Sequence, residues 1–334
     1  MSEADDIRFG MVGHGHISER FLAAIEVVEG AGVGAVAGRD RGRASAFARA
    51  RGIAAAYGSV GEMLSAEQLD AVYVCSPHPS HAEAAVACIK AGVAVLVEKP
   101  MAPTLAGASR IAAAAHDAGV FAMEAMWTRF LPVYETVRRW IHEGRIGEVR
   151  QVAASFGFAA PVMAEHRLFN PSLAGGSLLD VGVYPLTIAH WLYGSHPLEY
   201  GVVARVGDTG VDEITSIAAS YPGGGLAQLS SAIVADLDRS AKIYGTAGSI
   251  EIPAFYAADR AILRTGGEEE TEHVPHRANG FEYEIQEVVD CLRRGRTESE
   301  RMPLSTSLET AGLCDEIRGK IGVLYPFEES TGES

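Results

Sequence analysis

Positive charge is scarce in this chain of 334 residues: 28 lysines and arginines stand against 43 aspartates and glutamates, a formal net charge of −15. Most of such a surface repels a polyanion, so nucleic acid and acidic membranes are poor partners, and any anionic ligand needs a local device to hold it. Cysteine is scarce as well. The four (Cys75, Cys88, Cys291 and Cys314) show no paired short spacing, which speaks against a disulfide framework or a zinc cluster, and no metal site is expected. Cys75 and Cys88 lie in apolar segments and read as buried thiols. No apolar run approaches the roughly 20 residues that span a bilayer. The start, MSEADDIRF, is acidic and lacks an apolar signal core. Repeats and low-complexity segments are missing too. A reduced, soluble, cytoplasmic protein is the expectation.

What is present is an ordinary globular composition, 48% hydrophobic and 21% charged, with 37 glycines for tight turns. The length fits two domains, or one large one. In the first third, short apolar runs predict strands at 7–12, 33–37, 71–75 and 93–97, with another beginning at 121–123. Helical segments at 17–29, 41–51, 81–91 and 105–118 separate them. Apolar strands without alternation, interleaved with helices, predict a doubly wound parallel sheet with right-handed crossovers. From about residue 125 the rhythm changes. A helix at 132–143 leads to strands at 149–158, 200–206, 214–221, 226–232 and 241–244. YPGGGLAQL and YGTAGSIEI read as hairpins, helices follow at about 281–294 and 305–320, and the tail EESTGES is expected to lack fixed structure. The expected architecture is α/β: an N-terminal Rossmann domain (1–124) with a doubly wound parallel sheet, then a C-terminal α/β domain (125–334) with a large, mostly antiparallel open sheet.

Several short motifs carry chemistry. Gly13-His14-Gly15-His16-Ile17-Ser18 follows the first strand and opens the first helix. In a dinucleotide fingerprint the first glycine makes the turn, the second admits the pyrophosphate, and the third position, here Ser18, lets helix and strand pack closely. The helix N-terminus is the local anion device that the acidic surface demands. The other reading is a glycine-rich turn with no ligand. An acid is expected about 20 residues on, for the ribose of NAD, and Gly38-Arg39 stands there instead. Arg39 can pair with a 2′-phosphate and stack on adenine, which favours NADP, with NAD possible. Alternatively Arg39 only solvates the turn and Asp40 reaches the ribose. Ser76-Pro77-His78-Pro79-Ser80-His81 closes the strand at 71–75 and, in an open α/β sheet, borders the ligand crevice. Ser80 and His81 can equally be an ordinary helix start. The apolar run at 93–97 stops at Glu98-Lys99-Pro100, which faces the same crevice. Pro100 fixes the backbone there, and a cis peptide is admissible before it. Further on, Asp180 and Tyr184 are four apart and share a helical face, unless Pro185 kinks that helix or begins it.

Together these motifs resemble the Gfo/Idh/MocA oxidoreductase family over nearly the whole chain. The matching pieces are the glycine turn at 13–18, the Ser-Pro-His-Pro-Ser-His loop, Glu98-Lys99-Pro100 and Asp180-Val181-Gly182-Val183-Tyr184. MEAMWTRFLP (123–132) and EHRLFNP (165–171) add a likeness to its dihydrodiol dehydrogenase and glucose–fructose oxidoreductase branch. The resemblance implies a Rossmann domain plus an α/β domain with an open sheet, often used for dimerisation, so that a homodimer or higher homo-oligomer is expected, and places Lys99 in an active site. Many members carry a histidine where this chain has Tyr184, and the dihydrodiol-type branch carries tyrosine.

The implied reaction is hydride transfer between a nicotinamide and a secondary alcohol or carbonyl of a sugar, polyol or dihydrodiol. Catalytic roles fall to Lys99, Tyr184 and Asp180. A free tyrosine titrates near ~10, too high for an efficient base at neutral pH, and a lysine cation beside it stabilises the phenolate. Lys99 also stabilises the substrate oxygen, and Asp180 orients Lys99 or the substrate hydroxyl. Gly13, Gly15, His16, Ile17, Arg39, Ser76, His78, His81, Glu98 and Lys99 are the expected cofactor contacts, Glu98 also helping to fix its loop. Trp127, Arg129, Phe158 and Arg167 are the expected substrate contacts. Phe156, Phe130, Phe169 and His166 stand beside them, and each aromatic can equally be core. Two other classes remain open: a non-catalytic dinucleotide sensor, and an NAD-dependent glycosidase-type hydrolase on the same fold. Retention of Lys99, Asp180 and Tyr184 speaks against the sensor, and Arg39 against the hydrolase.

Overall fold

The computed structural model describes residues 6–329. The chain opens with β1 (Ile7–Val12), α1 (His16–Ile25), β2 (Ala31–Ala37), α2 (Arg41–Arg51), β3 (Ala55–Tyr57), α3 (Val60–Ala66), β4 (Ala71–Val74), α4 (His81–Lys90), β5 (Ala94–Glu98), α5 (Leu105–Ala118) and β6 (Ala122–Ala125). These six strands pair in parallel in the order β3-β2-β1-β4-β5-β6, the doubly wound arrangement the alternation predicts. Helices cover both faces of a parallel sheet, so its strands lose their alternation. Val72, Val74, Val95 and Val97 are fully buried, with Ala85, Ile89 and Ile111 of α4 and α5 in the same cluster. Each such aliphatic side chain contributes about 1.5–3 kcal/mol by leaving water. β3 and α3 were not expected. They are short and lie at the sheet's edge, and with them counted the strand before Lys99 is the fifth rather than the fourth.

After β6 come α6 (Val133–His142), β7 (Val149–Gly157), α7 (Val183–Tyr193), β8 (Glu199–Val206), β9 (Asp212–Ser220), β10 (Leu226–Ala232), β11 (Ala241–Gly245), β12 (Gly248–Ile252), β13 (Arg260–Thr265) and β14 (Glu268–His273). Their sheet runs β14-β13-β12-β11-β7-β10-β9-β8. Only β7 and β10 pair in parallel among its described neighbours. Both expected hairpins form, β9–β10 and β11–β12. β13 and β14 went unpredicted, because β14 (Glu-Glu-Glu-Thr-Glu-His) is an exposed acidic edge strand without apolar alternation. Glu269 and Glu270 on it pair with Arg264 and Arg145.

Three helices finish the described chain: α8 (Glu282–Arg293), α9 (Leu304–Ile321) and α10 (Pro326–Glu329). Of the tail EESTGES, Glu328 and Glu329 close α10, and 330–334 lie outside the described residues. The chain forms two compact units: Met1–Phe130 with His276–Ala311, and Leu131–Pro275 with Gly312–Ser334. A single cut after residue 124 misses this return of the chain, because contacts made by 276–311 with the first unit leave no local signature. The helical run Pro171–Tyr193 is long and apolar enough to cross a membrane, contrary to expectation, yet it is mostly buried inside the protein. It is a core helix.

Candidate active site

In the first unit the strand order reverses between β1 and β4, the switch point where open α/β sheets bind ligands. Gly13 ends β1 with φ +115, and a Cβ there would lie 2.6 Å from the carbonyl oxygen of Cys75. Only glycine lets the two strand ends pass so closely. Gly15 precedes α1 without any side-chain cap, and a Cβ on it would meet nothing within 4 Å. The first turn of α1 is therefore open to a phosphate, whose charge its N–H groups favour. Gly15 and His16 are exposed and Ile17 half-buried. Ser18 is fully buried with its Oγ 3.3 Å from Cys75 Sγ, so the third position packs helix on strand as expected. Burial pushes the Cys75 thiol up to about 12, which leaves it unreactive at neutral pH. Arg39 is exposed after β2. The carboxylate of Asp40 accepts the Arg43 N–H at 3.0 Å and caps α2, a use that competes with reaching a ribose.

Lys99 is half-buried at the carboxyl end of β5, and the Lys99–Pro100 peptide is cis. Three buried side chains pin the backbone of this loop. Glu98 Oε2 accepts the Lys99 N–H (3.1 Å), the carbonyl of Pro100 lies 3.0 Å from His81 Nδ1, and Glu124 Oε1 on β6 accepts the Met101 N–H (2.8 Å). Glu98 Oε1 also accepts the Tyr73 hydroxyl. His81 Nε2 is 2.7 Å from the Ser76 carbonyl, so one imidazole ties the loop after β4 to the loop after β5. Desolvation holds the His81 pKa below its usual range, against the pull of both carbonyls. Desolvation raises Glu98 and Glu124 in turn, opposed for Glu98 by Tyr73 and Lys99. Glu284 on α8 is fully buried, and neither of its oxygens has a hydrogen-bond partner. Burial first, then the charge of Glu98, lift its pKa well above the carboxylate range.

Glu98 and His81, expected as cofactor contacts, are buried, and their polar atoms meet groups of the protein itself. Ser76 accepts the Ser80 hydroxyl at 2.9 Å, and the His78 ring stands edge-on to His81. Trp127 is 3% exposed. Its ring packs 4.8 Å from Phe281, with the Arg20 guanidinium 4.9 Å above it, so as the protein stands this ring is packing. Phe130 is buried under Arg301, which also donates to the Arg129 carbonyl at 3.3 Å.

In the second unit, Asp180 and Tyr184 do not share one regular helix. Leu178–Gly182 is a π-helical turn that runs into α7, with Pro185 in the first turn of α7. The second of the two readings of Pro185 holds. Asp180 is buried and accepts Arg167 Nη1 at 2.7 Å. Tyr184 lies in an aromatic group that the sequence did not reveal: its ring is 5.4 Å from Phe156 and 6.0 Å from Tyr256, which stacks on Phe156 at 4.1 Å. Tyr256 sits in a short 3₁₀ turn after Ala254, whose φ is +45, and no periodic pattern marks it. Phe156 and Phe158 were expected on one face. β7 ends at Gly157, however, and Phe158 packs instead with Leu168, Phe169 and Ile233. Phe169 is core. Among the described residues no group of three or more His, Cys, Asp or Glu side chains is placed to hold a metal ion.

Residues 7–126 match the family described as "Oxidoreductase family, NAD-binding Rossmann fold", and 134–251 match the "GFO/IDH/MocA C-terminal domain". A trans-1,2-dihydrobenzene-1,2-diol dehydrogenase of Xenopus laevis is 36% identical over 331 residues, covering 96% of this chain and 99% of its own. The human protein of the same name is 34% identical over 333 residues, covering 97% and 99%. A crystal structure of a 3-ketoreductase from Actinomadura kijaniata, in complex with NADP and TDP-benzene, superposes with a TM-score of 0.85 at 28% identity, covering 94% of this chain and 98% of that one.

Proposed function

The chain belongs to the Gfo/Idh/MocA oxidoreductase family, and from that premise we propose that it transfers hydride between NADP and a secondary alcohol or carbonyl of a cyclic diol or sugar-like substrate. The observation that carries the reading is the pinned loop. Three buried side chains spend their polar atoms on presenting Lys99 at the carboxyl edge of the parallel sheet, the same edge at which α1 begins with its open first turn. Gly13, Gly15, His16 and Ile17 hold the pyrophosphate, and Ser76 and His78 border the nicotinamide end. NADP is favoured over NAD because Arg39 is free to meet a 2′-phosphate while Asp40 is engaged in capping, and the ketoreductase neighbour was solved with NADP. The chemistry such a cofactor supplies is acceptance or release of a hydride.

Lys99 donates a hydrogen bond to the substrate oxygen and stabilises charge developing there. Tyr184 takes the proton from that oxygen in oxidation and returns it in reduction. Asp180 keeps Arg167 close for reading substrate hydroxyls. Phe156 and Tyr256 form an apolar wall beside Tyr184 that suits a planar ring.

Self-association through the larger sheet accompanies this reading. Tyr244, Leu226 and Val203 share one face of that sheet by register, and all are exposed, Val203 by 72%. Sedimentation is expected to give twice the chain mass or a higher multiple; the mass of one chain contradicts it. Four buried thiols suit a reduced, cytoplasmic setting.

The test of function is an absorbance screen of NADPH and NADP⁺ over dihydrodiols, aldoses, ketoses and dicarbonyls. Turnover is expected on at least one class, and Lys99→Met and Tyr184→Phe are each expected to lower it by about 10²–10⁴-fold. Tight NADP binding without turnover on any class would overturn the reading in favour of a dinucleotide sensor. Wild-type turnover in both variants would overturn the assignment of roles.

A further inference from the structure

The turn that carries Asp180 and Tyr184 begins against a side chain from another part of the second unit. Asp212, the first residue of β9, is fully buried. Its Oδ2 accepts the Ser177 hydroxyl at 2.7 Å, the Leu178 backbone N–H at 2.7 Å and the Thr215 hydroxyl at 2.9 Å. Ser177 is also 3.0 Å from the hydroxyl of Ser231 on β10. Helices usually satisfy their first N–H groups with a cap residue of their own. Ser177 occupies that position here, yet its hydroxyl makes no capping bond and is given to Asp212. The cap is therefore supplied from β9, and its charge lies at the end of the helix that favours an anion.

Two glycines leave room for this cluster. Gly176 has φ +123, and a Cβ on it would come within 2.2 Å of Asp212 Oδ1. A Cβ on Gly182 would lie 3.0 Å from the Ser231 hydroxyl. Asp212 Oδ1 has no hydrogen-bond partner, so half of this buried carboxylate does nothing for its own solvation. Stability alone is poorly served by such a group. A π turn carries one residue more per turn than the α-helix that follows. Slipping to α-helical register rotates a side chain by about 100°, which is enough to turn the face that carries Asp180 and Tyr184 relative to β9 and β10.

We propose that Asp212 is a positioning residue of the active site: its grip on Ser177 and Leu178 holds the π turn and so sets the direction of Asp180 and Tyr184. This rests on the proposed function for the identity of the site, and on geometry alone for the grip.

The test is Asp212→Asn in the full chain, with Ser177→Ala as a milder break that keeps the Leu178 contact. Hydrogen exchange reads the grip without any substrate. Peptides over 175–184 are expected to exchange at least tenfold faster in Asp212→Asn and a few-fold faster in Ser177→Ala, while peptides over 7–37 keep wild-type rates. With a substrate from the screen, kcat is expected to fall at least tenfold, with the KM for NADP within twofold and the pH optimum of kcat displaced. Unchanged exchange over 175–184 overturns the proposal whatever the activity. Faster exchange spread evenly over the second unit overturns it as well, because Asp212 is then a general support. If Asp212→Asn does not fold, Ser177→Ala decides by the same two criteria. Absence of turnover in the wild type counts against the proposed function only, and leaves the exchange result to judge the grip.

Discussion

The Lys99 loop and the turn bearing Asp180 and Tyr184 both depend on buried carboxylates, but they distribute that dependence differently. At the sheet edge, Glu98, His81 and Glu124 come from β5, α4 and β6, and each holds one atom of three successive residues. In the second unit a single carboxylate, Asp212, gathers a backbone N–H and two hydroxyls on one oxygen. A distributed clamp fails by degrees, since losing one member leaves two. A single anchor fails at once. The comparison also separates two ways of aiming a side chain: parallel strands aim Lys99 through their common carboxyl edge, whereas Asp180 and Tyr184 are aimed by the pitch of an irregular helix.

The sharpest break in this comparison comes from removing what is aimed rather than what aims it, as in Lys99→Met or Tyr184→Phe above. Next in size is the cofactor end of the first unit. Arg39→Ala removes charge-assisted hydrogen bonds worth about 1.5–3 kcal/mol, so NADP preference over NAD is expected to fall about 10–100-fold, read from the two Kd values. Unchanged preference would remove Arg39 from the site. Smaller again is the loss of one clamp member. Glu124→Ala leaves the buried Met101 N–H without its acceptor at a cost of about 1–3 kcal/mol, lowering Tm by about 2–10 °C. Its loss in kcat is expected to be smaller than that of Asp212→Asn. The reverse order would show that the clamp is not distributed at all.

The smallest effect concerns pH. Glu284 faces Glu98 and Arg20, and burial raises its pKa well above 4.5 in the folded protein. A carboxyl raised on folding contributes its stability below the unfolded value, and loses it as pH rises through the folded value. Glu284→Gln keeps the shape without the titration. The variant is expected to match the wild type near pH 5 and to exceed it in Tm at alkaline pH, where the wild type must charge a buried group without partners. A parallel decline of both proteins would mean that Glu284 does not titrate in this way.

Much of the first unit was legible because its signals are local. Strand, glycine turn and helix follow one another at 7–25, and the break at Glu98-Lys99-Pro100 stands out against an apolar run. His81 was visible as a candidate, but its tie to a carbonyl 19 residues away was not. Glu124 looked like one more polar residue beyond a strand. The second unit resisted for two physical reasons. Residues 174–189 are all buried, so the helix shows no amphipathic face and its π turn leaves no period to detect. The contacts that define the site there, Asp212 to Leu178 and Tyr256 to Phe156 and Tyr184, join segments far apart in the chain. Gly175 and Gly176 were the available hint, since adjacent glycines ahead of a helix mark a close approach.

The central claim is that Lys99 and Tyr184 serve one substrate oxygen, and a double-mutant cycle on kcat/KM tests it most directly. Groups that act as a unit are strongly non-additive. The double variant Lys99→Met, Tyr184→Phe is expected to be within about tenfold of the worse single variant. Losses that multiply in full would contradict the account, because they would mean that the two side chains act at separate places.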